Sequence, residues 1–499
     1  ANAMLKIVRA PESERANLGI TLNARPADAY RARVSKFPYN TPWPGRQRPI
    51  DQTEDAYFVS FESDEPVEIR IALSAKRCIV RPLSKNIRAR CDANAITFTI
   101  PASGQYAVEP EGMPAIHIFA NPPADFGFAP DDANVKYYAP GVHHIGVVRL
   151  KSHERAYIDS GAVVYGAFIA AGAEDVAIAG YGVLDGSWEN RSGADRLLPL
   201  DYDAPLPADA ETLLELCQEK RALYGNIRFY RCRNVSVRGV IARDAATFSL
   251  IPAGCENVLV DNFKTIGMWR YNSDGADVFN SSNVLIQNSF FRNFDDCIVV
   301  KGVAGWDDRD NENILVKNCV VWCDWGRALE LGAETNAPKY RNIAFENCDL
   351  IHGCAVYMDI QHHNRADIAD VRFENIRCEY QTDHLPEKYQ SDLRTDYAAA
   401  PASTPQPILM GGFIYNMGLF AAKEKYKNGN IRDITFRNIQ ILTVPGMEMP
   451  VSAFHGLDKA HTVSNVRIEN VTLNGKPVKT LNASVNAFTE NIFWDGEKL

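Results

Sequence analysis

Several features are missing from this 499-residue chain, and each absence narrows what it does. No run of 18 apolar residues occurs, so no membrane-spanning helix is expected. The formal net charge is −9, which favours neither a nucleic-acid backbone nor an anionic membrane as partner. Eleven cysteines are present without paired spacing; Cys319 and Cys323 lack a second pair to complete a zinc site. They read as buried free thiols, which suit a reducing cytoplasm. The opening residues, with Lys6 and Arg9 before Pro11 and Glu12, hold no signal-type apolar stretch. That too points to the cytoplasm, whereas a leader upstream of this start would make the protein secreted or periplasmic. Ser-His-Asp arrangements and glycine-rich phosphate loops are missing as well.

What is present is a repeat. Asn257-Val-Leu-Val-Asp-Asn262 returns as Asn283-Val-Leu-Ile-Gln-Asn288, Asn313-Ile-Leu-Val-Lys-Asn318 and Asn342-Ile-Ala-Phe-Glu-Asn347. Asp370 to Asn375, Asp433 to Asn438 and Asn465 to Asn470 continue it, and weaker copies start at Asp175 and Asn234. From 234 to 370 the starts are 23, 26, 30, 29 and 28 residues apart. Each unit alternates apolar and polar residues and is rich in β-branched side chains, so it is a strand. One turn of three short strands with bends takes roughly 22–30 residues, which makes a parallel β-helix. The closing asparagines are expected to stack in a column, each amide bonding its neighbours about 4.8 Å away. Leu213, Leu214 and Leu216 predict a short surface helix between two copies, and Gly411 to Tyr415 an extra turn without the consensus.

Residues before about 130 differ in texture. Tyr57 to Phe61, Val67 to Ile71 and Ala95 to Ile100 alternate at short intervals, an antiparallel β-sandwich pattern. The fold expected is therefore all-β: a sandwich over 1–130, a linker from Asn121 to Pro130, and a right-handed parallel β-helix over 131–499.

Polar residues cluster on that coil. Asp274 lies 17 residues past Asn257, Asp295 and Asp296 lie 12 and 13 past Asn283, and Arg327 lies 14 past Asn313. Tyr357 and Asp359 follow at 15 and 17 past Asn342, so all share one stripe. Carboxylates on neighbouring turns lie roughly 5–10 Å apart. An inverting glycosidase needs its acid and base about 6.5–9.5 Å apart, and adjacent aspartates raise one another's affinity for a proton. Lys301, Glu330, Glu334 and Trp306 are further candidates for contact with a sugar. Trp188, Trp269 and Trp325 are aromatic faces that either stack on sugars or pack. His362 and His363 read as a surface loop, and the acidic run Asp307, Asp308 and Asp310 as a solvated one. No calcium-loop spacing is met, so no metal or cofactor is expected.

Asn272-Ser273-Asp274, then Asp295-Asp296-Cys297-Ile298 with Lys301, resembles the Asn-Thr-Asp and Asp-Asp signatures of the polygalacturonase family of glycoside hydrolases, family 28. The sandwich before the coil, with Tyr137 to His143 near the junction, looks more like the dextranase/isopullulanase family, family 49. The resemblance implies Asp295 as proton donor, with Asp274 and Asp296 positioning water as bases. The Gly-His-Gly slot of polygalacturonases reads Gly326-Arg327-Ala328 here. Their Arg-Ile-Lys clamp reads Tyr357-Met358-Asp359, an acidic residue where galacturonate needs a cation. The substrate expected is a poly- or oligosaccharide, with a neutral glucan at least as well matched as a pectic one. Two other functions use the same residues: a calcium-dependent polysaccharide lyase with Arg327 as base, and a non-catalytic carbohydrate-binding coil.

Overall fold

The computed structural model describes residues 4–36, 50, 53–189, 207–219, 225–303, 305–306, 309–380, 388–389, 398–399, 407–416 and 428–499. The repeat folds as its period predicts. Within one turn the strands Glu256–Asp261, Lys264–Ile266 and Ala276–Phe279 pair in parallel with Ser282–Gln287, Phe290–Asn293 and Ile298–Gly302 of the next. Register carries one apolar position from turn to turn: Val176, Val235, Val258, Val284, Ile314, Ile343, Val371, Ile434, Val466 and Ile492. All of them are buried in one continuous core, where Phe345, Phe373 and Phe436 also stack with ring centroids 4.9 and 5.0 Å apart. The strand Ile408–Ile414 is the extra turn, seated between Val356–His362 and Ser452–His455.

The asparagine column forms, and it is doubled. The closing residues link Asn347 to Asn318 at 2.7 Å and Asn470 to Asn438 at 2.8 Å. The opening ones link Asn342 to Asn313 and Asn257 to Asn234, both at 2.9 Å. Each sits in the left-handed region, with φ between 50° and 57°. Asparagine tolerates that conformation, so the residue serves both the bend and the ladder.

The N-terminal unit is a ten-stranded sheet folded over its own core of Leu22, Val67, Ile69, Ile71, Ile96 and Phe98. One detail departs from the antiparallel expectation: Ile116–Asn121 runs parallel to Thr53–Ser63. The chain then crosses to the coil, whose first strand is Val135–Tyr138. The two units share an apolar cluster in which Tyr30, Phe58 and Phe119 meet Val183, Ile241, Ile266 and Phe290. Buried Arg81 reaches across to Glu379 at 2.8 Å, and Asn121 accepts from Lys264. The helix Ala210–Glu219 is the predicted one and buries Leu213 and Leu214 against the coil. The ten described cysteines are free thiols, most of them buried.

Candidate active site

One sheet of the coil is built from Ala276–Phe279, Ile298–Gly302, Arg327–Thr335, Val356–His362 and Ile408–Ile414. Ala276, Val278, Ile298, Val300, Leu329, Leu331, Met358 and Ile360 point into the core. Strand alternation turns the residues between them outward. That outer face holds Asp277, Val299, Glu330 and Asp359 in one register row, with Lys301 and Gln361 beside it.

Asp274, Asp295 and Asp296 stand at the corner leading into this sheet, on successive turns. Gly275 N–H donates to the Asp296 carbonyl at 2.9 Å, and Cys297 N–H to the Arg327 carbonyl at 2.9 Å. Asn293 ties the corners together, accepting from Thr265 at 2.8 Å and donating to the Ser273 carbonyl at 3.1 Å. Behind them Phe294 stacks on Trp325 at 5.5 Å, with Tyr271 against the same ring. Gly326 lets the next corner close in: a Cβ there would lie 2.7 Å from the Asp296 Oδ1. Arg327 N–H donates to that oxygen at 3.1 Å, and Lys301 Nζ lies 3.8 Å from the other.

The electrostatics divide the carboxyls. Burial, reinforced by Asp296, pushes Asp295 up to about 7, against the opposing pull of Lys301 and Arg327. Burial and the neighbouring Asp277, Asp295 and Asp296 push Asp274 well above the usual range. Asp277 and Glu330 are raised by burial in the same way. Neither has an N–H or hydroxyl donor from the protein, and each faces a neighbouring carboxyl with which it can share a proton, Asp274 and Asp296 respectively. Burial raises Asp359 to about 6 despite Arg327, whose Nε stands 3.6 Å away without a hydrogen bond. Polar groups so buried and under-satisfied are costly, and they concentrate where a ligand completes them.

The structure thus brings together Asp274, Asp295, Asp296, Arg327, Lys301, Glu330, Glu334 and Asp359. Glu334 takes part as the 2.6 Å partner of Lys301. Two candidates lie elsewhere. Tyr357 is fully buried, its hydroxyl bonded to the Glu379 carbonyl at 2.6 Å and its ring against Tyr380. Trp306 is only 1% exposed, packed among Leu213, Leu214, Tyr230 and Phe279 beneath the helix, so no sugar reaches its face. The histidine pair is no surface loop. His362 bonds Thr335 at 2.7 Å and the Ala366 carbonyl at 2.6 Å. His363 is 5% exposed, stacks on Tyr415 at 4.7 Å and keeps both ring nitrogens unbonded. Asp277 and Tyr415 were overlooked as site residues, and His363 was read as a surface loop; Asp277, three positions past Asp274, was the most accessible of them from spacing. Of the acidic run, Asp307 and Asp308 lie outside the described residues. Among the described residues no group of three or more His, Cys, Asp or Glu converges as a metal site.

Residues 209–383, which contain every one of these acidic groups, match the family model described as glycosyl hydrolases family 28. Probable endopolygalacturonase D of Neosartorya fischeri is 30% identical over 132 residues, 26% of this chain and 24% of that protein. A dextranase of Arthrobacter globiformis is 23% identical over 295 residues, 50% of this chain and 40% of that one. The chain therefore spans less than half the length of either relative. In fold, Dex49A from Penicillium minioluteum superposes with a TM-score of 0.59 at 12% identity, over 98% of this chain and 97% of that one. Residues 209–383 are thus similar to glycosyl hydrolases of family 28, and the β-helical fold of the chain is similar to that of Dex49A. The fold likeness runs through both units of the molecule, whereas the family 28 match is confined to the part of the coil that carries the aspartates.

Proposed function

We propose that this β-helical relative is a glycoside hydrolase that cleaves an uncharged poly- or oligosaccharide with inversion at the anomeric carbon. The observation that carries the reading is the corner itself. Asp295, held near neutrality by burial and Asp296, stands beside an aspartate gripped by Arg327 N–H and Lys301. Asp295 protonates the departing glycosidic oxygen. Asp296 takes the proton of the attacking water, and Asp274, sharing a proton with Asp277, holds that water by a hydrogen bond. His363, Tyr415 and Arg327 offer the sugar an aromatic face and unused donors.

Two features argue for the substrate and the reaction class. Asp359 occupies the outer row beside the aspartates, so above about pH 6 a uronate would meet like charge there. Arg327 is pushed upward by Glu330, Asp296 and Asp359, which outweigh its burial, and a guanidinium so held is a poor base for elimination.

The test is a pH profile on paired substrates. Because Asp295 must be protonated, kcat/KM should fall about tenfold per pH unit above an apparent value near 7. Neutral oligomers such as those of dextran or pullulan should be cut faster than oligogalacturonate at every pH above 6, where Asp359 is ionised. Activity flat to pH 9, or a preference for the uronate, contradicts the reading.

A further inference from the structure

Trp188 is the most exposed of the large apolar side chains described, at 71%, and nothing in the corner chemistry accounts for it. It is nevertheless held in place. Its ring lies 4.4 Å from His144, which stacks on Tyr165 at 5.0 Å and 12°. Tyr165 is fixed from behind: its hydroxyl bonds Glu14 and accepts from buried Arg243 at 3.3 Å, and Arg243 is paired with Asp185 at 2.6 Å. An indole supported in this way loses little freedom when a flat apolar partner covers it.

Its address connects it to the aspartates. Trp188 follows Gly186, whose N–H donates to the Arg243 carbonyl at 2.9 Å. The next corner begins at Asp244, whose N–H donates to the Ile266 carbonyl at 3.3 Å. The corner after that runs from Gly267 to Gly275 and carries Asp274. Arg270 crosses between those two corners to bond Asp244 at 2.7 Å and lies over Trp269 at 4.8 Å. Trp188 and Asp274 therefore share one edge of the coil, two turns apart, about 10 Å along its axis. A saccharide chain laid along the coil with its scissile bond at Asp295 reaches that distance within a few units.

We infer that Trp188, backed by His144 and Tyr165, is a stacking platform for a sugar ring remote from the scissile bond, so that the groove selects long chains over short ones. The inference rests on the carbohydrate reading above. The apolar face of a pyranose fits an exposed indole.

The experiment compares the wild type with Trp188→Ala and Trp188→Phe. Probes are dextran, pullulan and polygalacturonate, each with its di- to hexasaccharides. The ratio of kcat/KM on polymer to that on the shortest cleaved oligomer should drop roughly three- to tenfold in Trp188→Ala and recover in Trp188→Phe. Polymer affinity is measured in parallel by calorimetry on Asp295→Asn with and without Trp188→Ala. An unchanged ratio with unchanged affinity overturns the platform and leaves hydrolysis standing. Affinity lost on Trp188→Ala without turnover in any form keeps the platform and removes hydrolysis. Binding of no probe, with no turnover, removes both.

Discussion

Replacing Asp295 by Asn should lower kcat about 10³-fold while leaving saccharide affinity within a few-fold, since a positioned general acid contributes about 10²–10⁴. The amide preserves shape. Its oxygen still accepts the Asp296 N–H that Asp295 holds at 2.9 Å, but its nitrogen has no proton to yield. The loss should shrink sharply on an aryl glycoside whose leaving group departs without protonation. Folding should not suffer: Asp295 Oδ2 has no hydrogen-bond partner, so neutralising the group removes a buried charge rather than a bond. Steady-state kinetics on both substrate types measure this, and kcat within tenfold of wild type on the natural-type linkage would rule Asp295 out as the acid.

The second large effect is on stability. Lys301→Met should destabilise the coil by about 3–5 kcal/mol, the usual cost of removing one partner from a buried ion pair. Lys301 is 4% exposed, and its ammonium lies 2.6 Å from Glu334 and 3.1 Å from the Gly332 carbonyl. Without it, Glu334 is buried with no cation, and Asp277 and Asp295 lose an opposing charge that now draws both downward. The sign follows: with that pull gone, Asp295 rises further, and any residual activity should extend to higher pH than in the wild type. Denaturant unfolding and the pH profile of the variant measure the two halves. A stability change below about 1 kcal/mol would mean that the ammonium is not the site's internal counter-ion.

How far the site was legible depends on how local each signal is. The Asn-to-Asn motif states both strand and bend within six residues, so turn spacing and the stripe of Asp274, Asp295, Asp296, Arg327 and Asp359 could be counted directly. Asp277 escaped because its partnership with Asp274 depends on which strand residues face outward, and that is set only once the turns are in register. His363 and Tyr415 meet across a long insertion, and no spacing rule survives a turn of that length. Trp306 and Tyr357 failed for a different reason. Each sits in polar or stripe-like sequence, yet long-range packing covers them, the helix with Leu213 and Leu214 over one and Tyr380 against the other. The parallel pairing of Ile116–Asn121 was hidden likewise, since alternation reveals a strand but not its direction.

The central claim is that the three corner aspartates direct water to the face of the sugar opposite the leaving group. The anomeric configuration of the first product tests it most directly, followed by ¹H NMR in the first minutes of hydrolysis, before mutarotation. Inversion is the result this account predicts; a product that retains the substrate's configuration would contradict it, because retention requires one of these carboxylates to attack the sugar itself.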